Sequence, residues 1–232
     1  MTVLETVKAR GYWRIHFQPL IAAEKLHTFQ DCKEIIEKNS VHLRGWNYPY
    51  FPKTGKDCGN ENNYVFTQLH WEGMIEYWRM YKSGQFIHYL ALREDWFEED
   101  SWMDKERAAT IKNTLGIIGG CTYQLTEIFE FLSRLARAGL YDEGVRVKIS
   151  LHNMKDRKLA IEDQMRLPFH YDRISQTDDI TVLEDTLEKE TAMNESKKLT
   201  VQAILKVFDH FDWYPTEDSV NKDVEDYLSG KR

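Results

Sequence analysis

The chain has 232 residues and carries 31 Lys+Arg against 38 Asp+Glu, a formal net charge of −7. With 42% hydrophobic and 13% aromatic residues it is long enough and apolar enough for a real core, which excludes a disordered chain. The negative total argues against non-specific coating of nucleic acid, which needs a positive field, and no run approaches the length of apolar residues that a membrane helix requires.

Taken in chain order, Tyr12 to Gln18 is the first strand: Trp13, Ile15 and Phe17 alternate with Tyr12, Arg14, His16 and Gln18, the period-two signature of a half-buried strand. Thr28 to Lys38 predicts a short helix, with Phe29, Cys32, Ile35 and Ile36 on one stripe. Val41 to Trp46 and Tyr64 to Trp71 alternate again and predict two further strands. Glu72 to Lys82, closed by Gly84, predicts a helix. Phe86 to Leu92 is apolar on both sides and predicts a central or doubly covered strand. Lys105 to Ile118 predicts a helix that Gly119-Gly120 then breaks. Thr122 to Ala138 is the strongest helix, with Leu125, Ile128, Phe129, Leu132, Leu135 and Ala136 at i, i+3, i+4 spacing and Gly139 as its stop. Val145 to His152 is the cleanest strand of all.

From about residue 172 onward only helices are expected. Thr181 and Glu184 match a capping box, a polar linker covers about 189 to 198, and Thr200 to Phe211 predicts a helix. Pro215 separates this helix from a last one capped by Ser219. The fold class that follows is α+β: an antiparallel or mixed sheet with helices on one face over residues 1–170, then a small acidic helical C-terminal subdomain over 171–232. The charge follows this division: residues 1–60 hold nine basic and six acidic residues, residues 172–232 eight basic and fifteen acidic.

The polar faces of the alternating strands bring together Arg14, His16, His42, Arg44, Trp46, Arg146, Lys148 and His152, with His70 from the third strand. Such a face is either solvated, covered by protein, or a site for phosphates and stacked bases. The run Arg44-Gly45-Trp46-Asn47-Tyr48-Pro49-Tyr50-Phe51-Pro52 holds four aromatics. It is a loop folded onto the core or a recognition loop that uses Trp46, Tyr48 and Tyr50. The following Lys53-Thr54-Gly55-Lys56 lacks the glycine pattern of a phosphate loop. The acidic run Arg93 to Asp100 offers Asp95, Glu98 and Glu99 as metal or acid–base carboxylates, with an ordinary charged loop as the alternative. His88 lies in an apolar strand and reads as a core histidine. Val201, Leu205, Phe208 and Phe211 form a stripe for packing or for an interface.

Cys32, Cys58 and Cys121 are odd in number and widely spaced, which argues against disulfides, and no ligand spacing points to zinc. Met1 to Trp13 has no apolar h-region. The expectation is a cytoplasmic protein with no membrane contact, no metal and no cofactor. Surfaces without a catalytic motif make a non-enzymatic adaptor, acting on a protein partner or on itself, the leading function. Single-stranded nucleic-acid or nucleotide binding on the polar sheet face is the first alternative. A metal-dependent hydrolase or nuclease is the second.

Overall fold

A computed structural model describes residues 1–21, 26–52, 57–163 and 165–230. Lys53 to Lys56, the excluded phosphate loop, therefore lies outside the described residues. Helix α1 (Val3–Lys8) opens with a capping box between Thr2 and Glu5 and leads into strand β1 (Tyr12–Pro19), whose burial alternates strictly along its length. Helix α2 (Phe29–Asn39) is capped by Thr28. The hairpins β2 (Cys58–Glu61), β3 (Tyr64–Trp71), β4 (Met74–Tyr81) and β5 (Phe86–Ala91) follow.

Helix α3 (Lys105–Ile111) gives way to the short strand β6 (Thr114–Gly116). A π-helical turn (Ile117–Tyr123) then runs directly into α4 (Gln124–Arg137). The rest of the chain is β7 (Val145–His152), β8 (Lys158–Ala160), β9 (Ile180–Leu187), α5 (Lys189–Asn194), α6 (Ser196–Asp209) and α7 (Glu217–Leu228). Seven strands form one antiparallel sheet in the order β2-β3-β4-β5-β1-β7-β9, and β6 and β8 pair in parallel beside it. This is the expected α+β class with helices at the C-terminal end. Among the described residues no helix is long and apolar enough to cross a membrane.

One face of the sheet is the core. Trp13, Ile15 and Phe17 of β1, Trp78 and Met80 of β4, and Val147 and Ile149 of β7 pack there against Phe129 and Leu132 of α4 and Ile204 and Phe208 of α6. This one apolar cluster extends from Trp13 to Val224, so residues 171–232 share the core of residues 1–170. On the other face α1 covers one end, packing Val7 against Ile75, Ala91 and Trp96.

Several elements differ from expectation. Val41 to Trp46 is not a strand: one backbone bridge between Val41 and Tyr48 closes a loop, with Arg44 and Trp46 at its tip. Glu72 to Lys82 is not a helix. Glu72 takes a left-handed conformation in a tight turn, and Met74 to Tyr81 continues as the partner of β3 and β5. Ile75 and Tyr77 face α1's side and Trp78 and Met80 the core, so burial on both faces hides the alternation.

The helix expected to Ile118 ends at Ile111, because Asn113 turns left-handed at φ 61° and donates its N–H to Asp95. Gly119-Gly120 does not break the chain but forms the widened turn that starts α4. The C-terminal segment is not all helix. Ile180–Leu187 is an edge strand on β7, so Thr181 and Glu184 are strand residues and not a capping box. The supposed linker contains α5 and the start of α6, and α7 is capped by Thr216 and not by Ser219, whose N–H the Thr216 hydroxyl accepts.

Candidate functional site

The stripe Val201, Leu205, Phe208 and Phe211 packs inside this chain's own core, with Leu205 at its margin. Arg14, His16, Arg146, Lys148 and His152 do share the outer sheet face, through the registers Arg14↔Ser150 and His16↔Lys148. The other predicted residues do not join them. His42 is exposed on the loop. Tyr48 is buried edge-on against Phe131, and the Tyr50 carbonyl accepts the Trp78 indole N–H at 2.7 Å. Arg44 and Trp46 turn the opposite way, over the N-terminal end of α4. Two of the three surfaces of the adaptor reading are thus used internally.

Where Arg44 goes, a buried charge network begins. Its Nε donates to Glu127 Oε1 at 3.0 Å and its Nη2 to the other Glu127 oxygen, while Nη2 also reaches Gln124 Oε1 at 2.9 Å. Glu127 is wholly buried in the first turn of α4 and accepts the Tyr227 hydroxyl at 2.8 Å. Burial works against the Arg44 charge, but the Glu127 carboxylate outweighs it and holds its pKa up. Tyr227 in turn stacks on Tyr123 with ring centres 3.8 Å apart. The guanidiniums of Arg44 and Arg93 both lie over the Trp46 ring, at 5.3 and 5.6 Å, two cation–π contacts on one indole.

Arg44, Trp46, Arg93, Tyr123 and Gln124 line a cleft of about 230 Å³ at the ends of β4 and β5. Trp46, Phe97 and Tyr123 supply aromatic surface, and Arg93, Glu94 and Glu162 supply charge. Two neighbouring hollows, of about 380 and about 410 Å³, share the Glu162 side.

The two carboxyls are held by the glycine turn. Glu94 accepts the Gly116 N–H at 2.8 Å, and Glu162 accepts those of Ile118 and Gly119 at 2.7 and 3.0 Å. A Cβ at Gly120 would collide with the Glu94 carboxyl, and one at Gly116 with Glu162. The carboxyls approach the backbone closely at these glycines and satisfy N–H groups that open a helix, where negative charge is favoured. Burial pushes the Glu94 pKa up to about 7, with the Glu162 charge adding to the effect. Burial raises Glu162 as well, against the pull of its backbone donors. Gly120→Ala is expected to cost about 1–3 kcal/mol by overpacking, and thermal unfolding checks this.

Among the described residues, three buried donors on cleft-lining residues have no hydrogen-bond partner: Trp13 Nε1, Gln124 Nε2 and Arg93 Nε. Buried polar atoms are normally bonded, so these three are exceptions in the lining of the cleft, and six further such atoms lie on residues outside it. Deeper in the sheet His88 Nε2 lies 2.7 Å from Glu76, close enough for an ion pair but out of line for a hydrogen bond, and its Nδ1 is 3.3 Å from the Tyr48 hydroxyl.

The acidic run is taken apart by its partners. Asp95 binds Arg157 at 2.6 Å, Glu98 binds Arg10 and Lys112 at 2.8 and 3.1 Å, and Glu99 binds His70 at 2.8 Å. Three carboxylates bound by separate basic side chains do not converge on one ion, and among the described residues no cluster of three or more His, Cys, Asp or Glu is arranged for a metal. Sequence reasoning missed Glu94 as a site residue, and Glu162, Gln124 and Glu127 altogether. The one local signal was the Gly119-Gly120 pair inside an apolar run. No family model, curated protein or solved structure matches the chain.

Proposed function

We propose that the protein binds a planar, nucleobase-like ligand in this cleft, and that guanine is the base it fits best. The observation that carries the reading is that buried unpartnered donors on Trp13, Gln124 and Arg93 and the carboxyls of Glu94 and Glu162 belong to residues lining one aromatic-walled cleft. A carboxylate matches two adjacent N–H groups, which guanine carries on one edge. Its O6 and N7 acceptors on the other edge match side-chain donors. The volume of about 230 Å³ suits one heteroaromatic ring system, since drug-sized ligands use roughly 300–1,000 Å³. The adjoining hollows leave room for a sugar. Charged groups such as Arg44 act by position: locked to Glu127, Arg44 fixes Trp46 and the start of α4.

The test is calorimetric titration with guanosine, inosine, adenosine and uridine. Guanosine is expected to bind best. Inosine, which lacks the exocyclic amine, and the variant Glu162→Gln with guanosine should each bind at least about tenfold more weakly, as loss of a hydrogen bond to a charged group requires. Equal affinity for all four, or binding indifferent to Glu162→Gln, overturns the reading.

A further inference from the structure

On the opposite side of the sheet lies a surface of different character. The register places Phe66, Arg79, Ile87, His16 and Lys148 side by side in one row across five strands. The next row holds Tyr77, Tyr89, Arg14 and Ser150. Cationic and aromatic side chains are thus neighbours over the middle of the sheet, although Tyr77 is buried and Tyr89 packs beside α1 with the Lys8 ammonium 4.8 Å from its ring.

Two of the arginines lie against rings. Arg79 lies 4.8 Å from the Tyr64 ring and 5.1 Å from that of Tyr77, whose hydroxyl accepts its Nε–H at 2.7 Å. The Arg14 guanidinium lies 5.9 Å from the Tyr89 ring. Arg146 is exposed at the end of the face. Among the described residues no carboxylate is recorded within ion-pair distance of these three arginines, although the protein as a whole is at −7. Lys148 does have a partner, Glu184 at 2.8 Å. At the centre His16 has its pKa lowered by burial first and then by Arg14, Lys148 and Arg146, a sign that their fields add at one place.

We infer that this outer sheet face is a binding site for single-stranded nucleic acid. Charge complementarity selects a polyanion. Rings set beside arginine forks select one whose phosphates are punctuated by stackable bases, and the part of the sheet that α1 leaves uncovered fits a single strand. From Arg79 on β4 to Arg146 on β7 is three strand spacings, roughly 14 Å, which spans two to three phosphates of an extended strand.

The experiment is fluorescence anisotropy with a labelled oligouridine of about twelve nucleotides over a salt series, with a duplex of equal length as control. Binding to the single strand is expected, with an affinity that falls by a log–log slope of about −2, as three phosphate contacts at about −0.7 each require. Arg146→Gln, an exposed position with no fold to break, should reduce that slope by about one contact. Tyr89→Ala should weaken binding about tenfold at every salt concentration without changing the slope. Glu162→Gln, on the other face, should leave oligonucleotide binding intact, which separates this site from the cleft. No single-strand binding at low salt, binding with Arg146→Gln unchanged, or self-association in sedimentation in place of oligonucleotide binding overturns the inference.

Discussion

Asp95→Ala is expected to remove about 4 kcal/mol of folding stability, the usual range when one member of a buried ion pair is deleted. Asp95 and Arg157 are joined at 3.0 and 2.6 Å, and their side chains are 4% and 2% exposed. The carboxylate also accepts the backbone N–H groups of Gly11 at 2.9 Å and Asn113 at 3.0 Å. It therefore ties together the start of β1, the entry to β6 and the segment before β8. Alanine leaves a guanidinium uncompensated and two N–H groups without acceptors, and each orphaned group retains its full desolvation cost. The double variant Asp95→Leu with Arg157→Met should recover much of the loss, because a shape-matched apolar pair is often as stable as a buried ion pair. Urea unfolding of the three variants decides the matter. A loss below about 1 kcal/mol for Asp95→Ala would show that solvent reaches the pair.

Glu94→Gln is expected to stabilise the protein at alkaline pH and to leave it unchanged in acid. The folded carboxyl holds its proton up to about pH 7, against 4.5 ordinarily. The folded state thus binds more protons than the unfolded chain between those values, and its stability falls as pH rises through that window. Above it the full penalty applies, on the order of 3 kcal/mol; below about pH 4.5 there is none. Glutamine is neutral throughout and keeps an oxygen for the Gly116 N–H. Unfolding free energies of both proteins should therefore agree near pH 4.5 and diverge by pH 8 in favour of the variant. A difference that does not vary with pH would place the titration elsewhere. Keeping a buried carboxyl at a cost to stability is characteristic of sites that bind or react, and the same variant should weaken guanosine binding.

Much of this architecture was legible in the residues. β1, β3, β5 and β7 followed from alternation or from a doubly apolar run, and α2 and α4 from stripes and stop signals. Errors arose where two local readings were both good. In β4 burial on both faces erased the period of two, and in β9 a Thr–Glu spacing imitated a helix cap. The outer face was half recognised: Arg14, His16, Arg146, Lys148 and His152 are there, but Arg79, Tyr77 and Tyr89 were lost when β4 was taken for a helix and β5 for a fully covered strand. The cleft was not seen at all, although Arg44 and Trp46 were singled out for a different surface.

The physical reason is range. Side-chain period, capping and glycine stops act within a few residues, so the sequence by itself determined the α+β class, the strands β1, β3, β5 and β7, and the uneven split of charge. The pairing of Arg44 with Glu127, of Asp95 with Arg157, and of Glu94 and Glu162 with one glycine turn joins positions 22 to 83 residues apart. Only the tertiary structure decided those, because a charge is buried where its partner, its backbone donors and the space left by a missing Cβ coincide. The opening figure of −7 is accordingly not a property of any one surface: it sums a cleft holding raised carboxyls, an acidic C-terminal segment, and a sheet face on which two arginines lie against tyrosine rings.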